Sequence, residues 1–231
     1  MMKKIFVLAV GFFCILFFAF PLTSNAEWMT GANVGFSVSD DEDVSLYANG
    51  IKQGTTQFDV DDSFVLGYRL GYWLESLPWL GLSVDISYFR PNVEFDLFCE
   101  GSGPCNNIQP VIVRESGEFD IVPISPLLML RIPLAADENF PKGKFQPYLA
   151  VGPSIFLSWW DFNNFDDSDA QIGLDARAGI AAMVAYNIAV FAEYRYTDAE
   201  FTFDEHVDGI QYKVETQLNT HHYTVGIFYY F

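Results

Sequence analysis

Alternation is the feature that most restricts this chain: between Ala32 and Phe231, apolar and polar residues change places at every second position in eight separate stretches. In an extended strand, successive side chains point to opposite faces, so each stretch predicts a strand with one apolar and one polar face. In the first, Val34, Phe36 and Val38 oppose Asn33, Gly35 and Ser37. The second sets Phe64, Leu66, Tyr68, Leu70 and Tyr72 against Gly67, Arg69 and Gly71. The third sets Leu80, Leu82, Val84, Ile86 and Tyr88 against Gly81, Ser83, Asp85 and Ser87. Ile124, Leu128, Leu130 and Ile132 share the apolar phase of the fourth, with Arg131 opposite. Pro123 and Pro126 lack ladder donors there and predict a bulge or a distorted end. Leu149, Val151, Ile155 and Leu157 oppose Ala150, Gly152 and Ser154 in the fifth, which Pro153 weakens. The sixth places Leu174, Ala176, Ala178, Ile180 and Val184 against Gly173, Asp175, Arg177 and Gly179. In the seventh, Val190, Ala192, Tyr194 and Tyr196 oppose Glu193 and Arg195. The eighth ends the chain, with Tyr223, Val225, Ile227, Tyr229 and Phe231 alternating with His222, Thr224, Gly226, Phe228 and Tyr230.

Charge placement decides what each face meets. Arg69, Asp85, Arg131, Asp175, Arg177, Glu193 and Arg195 all fall in the polar phase, whereas Lys52, Lys142, Lys144 and Lys213 fall in connections. The apolar phase carries no charge. In water, an uninterrupted apolar exterior would aggregate and an interior holding seven charges would be a poor core. In lipid both become expected, with the four arginines and three carboxylates pairing inside one narrow lumen. The chain is therefore read as all-β, an eight-stranded antiparallel up-and-down transmembrane β-barrel. Seven connections, at about 40–62, 74–79, 91–117, 133–145, 159–171, 186–187 and 198–217, separate the strands. These connections run long, short, long, medium, long, short, long, which predicts periplasmic turns, external loops and both mature termini in the periplasm of a Gram-negative cell. Trp28, Tyr72, Trp73, Trp79, Trp159, Trp160 and Tyr229 suit the two interfacial girdles.

The first 26 residues are set apart from this pattern. Lys3 and Lys4 precede an apolar run from Ile5 to Phe20, and Ser24-Asn25-Ala26 supplies small residues at a cleavage site. That order predicts a secretory signal peptide over 1–26, carrying Cys14 away with it, and a barrel domain over 27–231. Without Lys3 and Lys4, ten basic residues face thirty acidic ones, a net charge of −20 against −18 for the whole chain. Such a balance disfavours nucleic acid as a partner. No later apolar run is long enough for a spanning helix.

Several segments carry a resemblance: Gly67-Tyr68-Arg69-Leu70-Gly71-Tyr72-Trp73, Gly81-Leu82-Ser83-Val84-Asp85-Ile86-Ser87-Tyr88, Pro147-Tyr148-Leu149-Ala150-Val151-Gly152, Phe191-Ala192-Glu193-Tyr194-Arg195-Tyr196 and the terminal Phe231. With these, the chain resembles the small OmpA-like outer-membrane β-barrel proteins over nearly all of its mature length, as a barrel-only member. The resemblance implies that Phe231 is the terminal aromatic read by the outer-membrane barrel assembly machinery. Its activity is not fixed by that likeness, since the same scaffold hosts adhesins, structural proteins and lipid-modifying enzymes.

Chemistry must then come from sites. His221 lies in the outward phase near the external end of the last strand, where a lipid A-modifying hydrolase could act, but such an enzyme needs a serine and a carboxylate beside the histidine. His222 faces inward as a lumen hydrogen-bonding group, and His206 lies in a loop without a partner motif. Asp40-Asp41-Glu42-Asp43 and Asp166-Asp167-Ser168-Asp169 match no dedicated calcium loop and read as solvated acidic surface, available for cation bridging to lipopolysaccharide or for an extracellular ligand. Cys99 and Cys105 share one external loop in an oxidising compartment, which predicts a disulfide rather than a metal site. No cofactor is expected. The reading is a non-enzymatic barrel with a structural or surface-interaction role and a lumen filled by a charged network, with an enzyme, a narrow solute channel or a receptor as alternatives.

Overall fold

The computed structural model describes residues 27–40, 42–48, 50–97, 113–138, 140–162, 165–207 and 210–231. The expected signal peptide and the Cys99–Cys105 bridge lie outside them. Eleven strands and no helix occur among the described residues: β1 (Glu27–Ser39), β2 (Glu42–Ala48), β3 (Ile51–Val60), β4 (Ser63–Trp73), β5 (Leu80–Phe89), β6 (Asn92–Leu97), β7 (Val113–Arg131), β8 (Phe145–Phe162), β9 (Phe165–Ala185), β10 (Ile188–Val207) and β11 (Ile210–Tyr230). Eight of them, β1, β4, β5, β7, β8, β9, β10 and β11, pair antiparallel each with the next. Pairing of β11 back onto β1, from Met29↔Tyr230 to Ser39↔Thr220, closes the ring. Closure leaves the spanning wall without a free edge, which is what a sheet in hydrocarbon requires.

Side chains alternate across this wall as the sequence dictates. Phe36, Leu82, Leu149, Val225 and Ile227 are more than half exposed on the outside. Arg69, Asp85, Asp175 and Phe228 are buried on the inside. The prolines of β7 and β8 do not act as expected. Pairing between β7 and β8 is interrupted between Ile124↔Ile155 and Leu128↔Val151, yet the register is the same on both sides. No residue is inserted, so the predicted bulge is absent: Pro126 and Pro153 cost ladder bonds without shifting the strands. Gly152 makes this possible, since a Cβ there would stand 1.9 Å from the Pro126 carbonyl oxygen.

The two ends differ. At one, β4–β5, β7–β8 and β9–β10 are joined by 74–79, 132–144 and 186–187. At the other, the strands run much further than the alternation predicted. Residues expected in the links 159–171 and 198–217 belong to β8 and β9, paired up to Phe162↔Phe165, and to β10 and β11, paired up to Val207↔Ile210. Beyond the lipid-facing band, both faces of a strand are free to be polar, so the period-2 signal fades while the ladder continues. Within 40–62 and 91–117, β2, β3 and β6 extend the wall further, β2 pairing with β11, β3 with β2 and β6, and β6 with β7.

Candidate functional site

Narrow eight-stranded barrels have an interior that side chains fill, and here the filling is layered. Nearest the short turns, Arg131 meets Glu27, donates to Gln146 Oε1 at 3.1 Å and to the Pro78 carbonyl at 2.8 Å, and stacks over Trp73 at 4.2 Å. Lys142 reaches the same glutamate at 3.1 Å. Next comes an apolar layer that includes Met29, Met129, Tyr148, Phe191 and Phe228, with Phe191 and Phe228 stacked at 4.0 Å.

Above this floor lies the charge layer. Arg177, from β9, donates to Asp175 Oδ2 at 2.7 Å and to Asp85 Oδ2 at 2.9 Å, and reaches Glu193 Oε1 at 3.3 Å. Arg69, from β4, donates to Glu193 Oε1 at 2.7 Å and to Asp85 Oδ2 at 3.2 Å. Arg195 Nη2 stands 2.8 Å from Asp175 Oδ2 but off the hydrogen-bonding line, so that contact is an ion pair only. Its Nη1 donates to Ser87 Oγ. Neutral groups complete the layer: Ser125 donates to Asp175 at 2.6 Å and Tyr148 to Glu193 at 2.8 Å. Glycine provides the room. A Cβ at Gly179 would lie 2.5 Å from the Tyr148 ring, and one at Gly31 2.4 Å from that of Phe228.

Towards the long-link end, buried apolar side chains share the lumen with polar ones such as Ser37, Thr197, Thr220 and His222. Val65, Phe89 and Ile121 each stand four residues, about 13 Å of strand, beyond Arg69, Asp85 and Ser125, and Phe156 lies two beyond Ser154; all four are buried. His222 packs edge-on against Phe89 at 5.0 Å, with Nε2 3.2 Å from Thr197 Oγ1.

Six of the seven charges singled out from the sequence thus meet in one layer. Arg131 does not join them, because it sits one apolar layer away and takes Glu27 as its partner. Glu27 was missed, although it lies in phase with Asn33 at the start of the first strand. Three guanidinium groups face three carboxylates, none of these residues more than 5% exposed.

His221 is the other candidate. It lies outward, its Nδ1 2.7 Å from the Tyr194 hydroxyl and its Nε2 3.4 Å from Asp40 Oδ2. A carboxylate is present, but a phenol stands where a hydrolase would carry its serine. The side chains of His206, of Asp43 and of Asp166, Asp167 and Asp169 lie outside the described ones; His206 itself falls within β10 rather than in a loop.

A closed, all-antiparallel eight-stranded wall, apolar outside and charged within, is what outer-membrane barrels share, and the family of the outer membrane protein beta-barrel domain matches residues 5–231. The chain belongs to that family. Its members' location makes it a protein of the bacterial outer membrane. Comparison with curated proteins gives no match. Among solved structures, OprG from Pseudomonas aeruginosa is similar with a TM-score of 0.65 at 16% identity, over 89% of this chain and 96% of that one. Neisserial surface protein A follows at 0.49 and 15%, over 90% and 100%. At such identity the likeness to OprG speaks for the fold of this beta-barrel family member and not for its activity.

Proposed function

We propose that this outer-membrane barrel is non-enzymatic and sealed through its centre, with a structural or surface-interaction role carried by the tall wall at its long-link end. One observation supports this most: three guanidinium groups are matched by three carboxylates, none of these residues more than 5% exposed, and the layer rests on a buried apolar layer on the short-turn side. Short turns at 74–79 and 186–187, with a medium link at 132–144, support placing the short-turn end in the periplasm and the extended wall outside. Phe231 would then lie on the side from which the assembly machinery acts. The acidic wall would meet lipopolysaccharide and any extracellular ligand, and the phenol beside His221 speaks against a serine hydrolase.

Single-channel recording in planar bilayers tests the seal. The mature protein should give no steady current in most insertions. Steady conductance that disappears on enlarging an inward residue such as Gly179, whose new Cβ would press on the Tyr148 ring, would replace the sealed barrel by a narrow channel.

A further inference from the structure

On three neighbouring strands, the outward face changes character at one height. The lipid-facing row of β10 runs Val190, Ala192, Tyr194, Tyr196, that of β11 Ile227, Val225, Tyr223, His221, and that of β1 Val34, Phe36, Val38, with Asp40 just past its end. Phe36 stacks on Tyr223 at 5.3 Å, Tyr223 lies 5.5 Å from Tyr194, and the His221 ring sits 5.9 Å from Tyr194 and 5.4 Å from Tyr196. Five rings therefore make one continuous platform.

Its polar edge is already set. The Tyr194 hydroxyl and Asp40 hold the two nitrogens of His221, and Tyr196 donates to Asn219 Oδ1 at 2.8 Å. The Asp40 carboxylate remains 57% exposed beside the rings. We propose that Phe36, Asp40, Tyr194, Tyr196, His221 and Tyr223 bind the sugar headgroup of an outer-leaflet glycolipid. This rests on the orientation given above, which puts the platform at the external lipid boundary.

Hexose chemistry fits such a surface. One face of the ring is all C–H and packs on electron-rich aromatic faces, while its rim of hydroxyls donates to a carboxylate. A phosphate fits poorly, because the platform holds no lysine or arginine and its one imidazole is engaged by Asp40. The apolar band directly below, Val34, Ala192 and Val225, would cover acyl chains, which favours a lipid-anchored sugar over a free one. Elsewhere on the same girdle the pattern differs: Tyr88 donates to Asp120, whose carboxylate Arg90 already neutralises at 3.2 Å.

Native mass spectrometry of the full mature protein, moved from nanodiscs of phosphatidylethanolamine and rough lipopolysaccharide that carries its full hexose core into detergent, reads the site directly. Wild type should keep one glycolipid after phospholipid is lost, and Tyr194→Ala/Tyr223→Ala should lower that fraction about tenfold. Tyr88→Ala/Trp159→Ala should leave it unchanged. Heat-dependent gel migration checks that each variant is folded. Should the double variant not fold, a benzophenone amino acid in place of Val38 should cross-link to the glycolipid sugar and not to phospholipid. Equal losses in the two double variants, equal retention of phospholipid, or displacement by the free core saccharide would each overturn the proposal. A channel found in the bilayer recording would leave this test standing, since it reads the outer wall and not the lumen.

Discussion

Replacing Arg177 with methionine removes the residue at the centre of the lumen network. Three carboxylates lose a partner at once, at 2.7, 2.9 and 3.3 Å. Glu193 retains Arg69 and Tyr148, and Asp175 retains Arg195 and Ser125, but Asp85 is left with Arg69 at 3.2 Å. The layer passes from three charges of each sign to an excess of one negative charge among side chains that are almost wholly buried. Leaving an uncompensated buried charge costs about 3–5 kcal/mol, far more than the lost packing of one side chain of similar length. Adding Asp175→Asn restores two charges of each sign, so the double variant should recover about 1–3 kcal/mol through the coupling between adjacent groups. Urea unfolding of the mature barrel in lipid vesicles, followed by tryptophan fluorescence, measures both. A loss below about 1 kcal/mol for Arg177→Met, or a double variant no more stable than the single one, would mean that the layer is hydrated and screened, and the sealed lumen would fall with it.

The other expectations concern the wall. Ile180→Arg, at an outward position that is 47% exposed, should cost about 2–4 kcal/mol near the midplane in the same assay, and Val84→Arg should behave alike; tolerance of both would mean the phase is wrong. Gly152→Ala should cost about 1–3 kcal/mol by overpacking, because its Cβ meets a backbone oxygen rather than a side chain that can turn aside; folding at wild-type stability would show that the strands separate freely there. A broad-specificity protease added to intact cells should cut within 91–117 and spare 186–187. Cleavage confined to permeabilised cells would invert the orientation.

The membrane explains which parts of this fold were legible. Within the lipid band, one face of every strand must be apolar without exception, so the phase of each strand, and the side on which Arg69, Asp85, Arg177 and Glu193 lie, could be read directly. Height along the barrel axis could not, because it depends on the stagger between tilted strands. That is why Arg131, in the correct phase, was grouped with charges that lie a layer away. Beyond the band the constraint disappears, and Phe201, Phe203 and Tyr212, interleaved with acids, read as loop although the backbone there is paired strand. The His221–Asp40–Tyr194 contact was hidden for a different reason: its members come from three strands, and only ring closure between β1 and β11 brings Asp40 to His221.

Closure also sorts charge by compartment. Glu27, Asp85, Asp175 and Glu193 lie in the lumen opposite Arg69, Arg131, Arg177 and Arg195, so the spanning interior is neutral. Glu75, Asp137 and Glu138 belong to the short turns, together with Lys142 and Lys144. The remaining twenty-three acids belong to the long links and the strand ends leading into them, against Lys52, Arg90, Arg114 and Lys213. By sequence, therefore, most of the negative charge falls in the long links and the strand ends leading into them. A field of that sign repels polyanions and draws cations within about 8–10 Å at physiological salt. Beside the extended wall, the proposed aromatic platform, whose one charged group is Asp40, is suited to a ligand recognised by ring stacking instead.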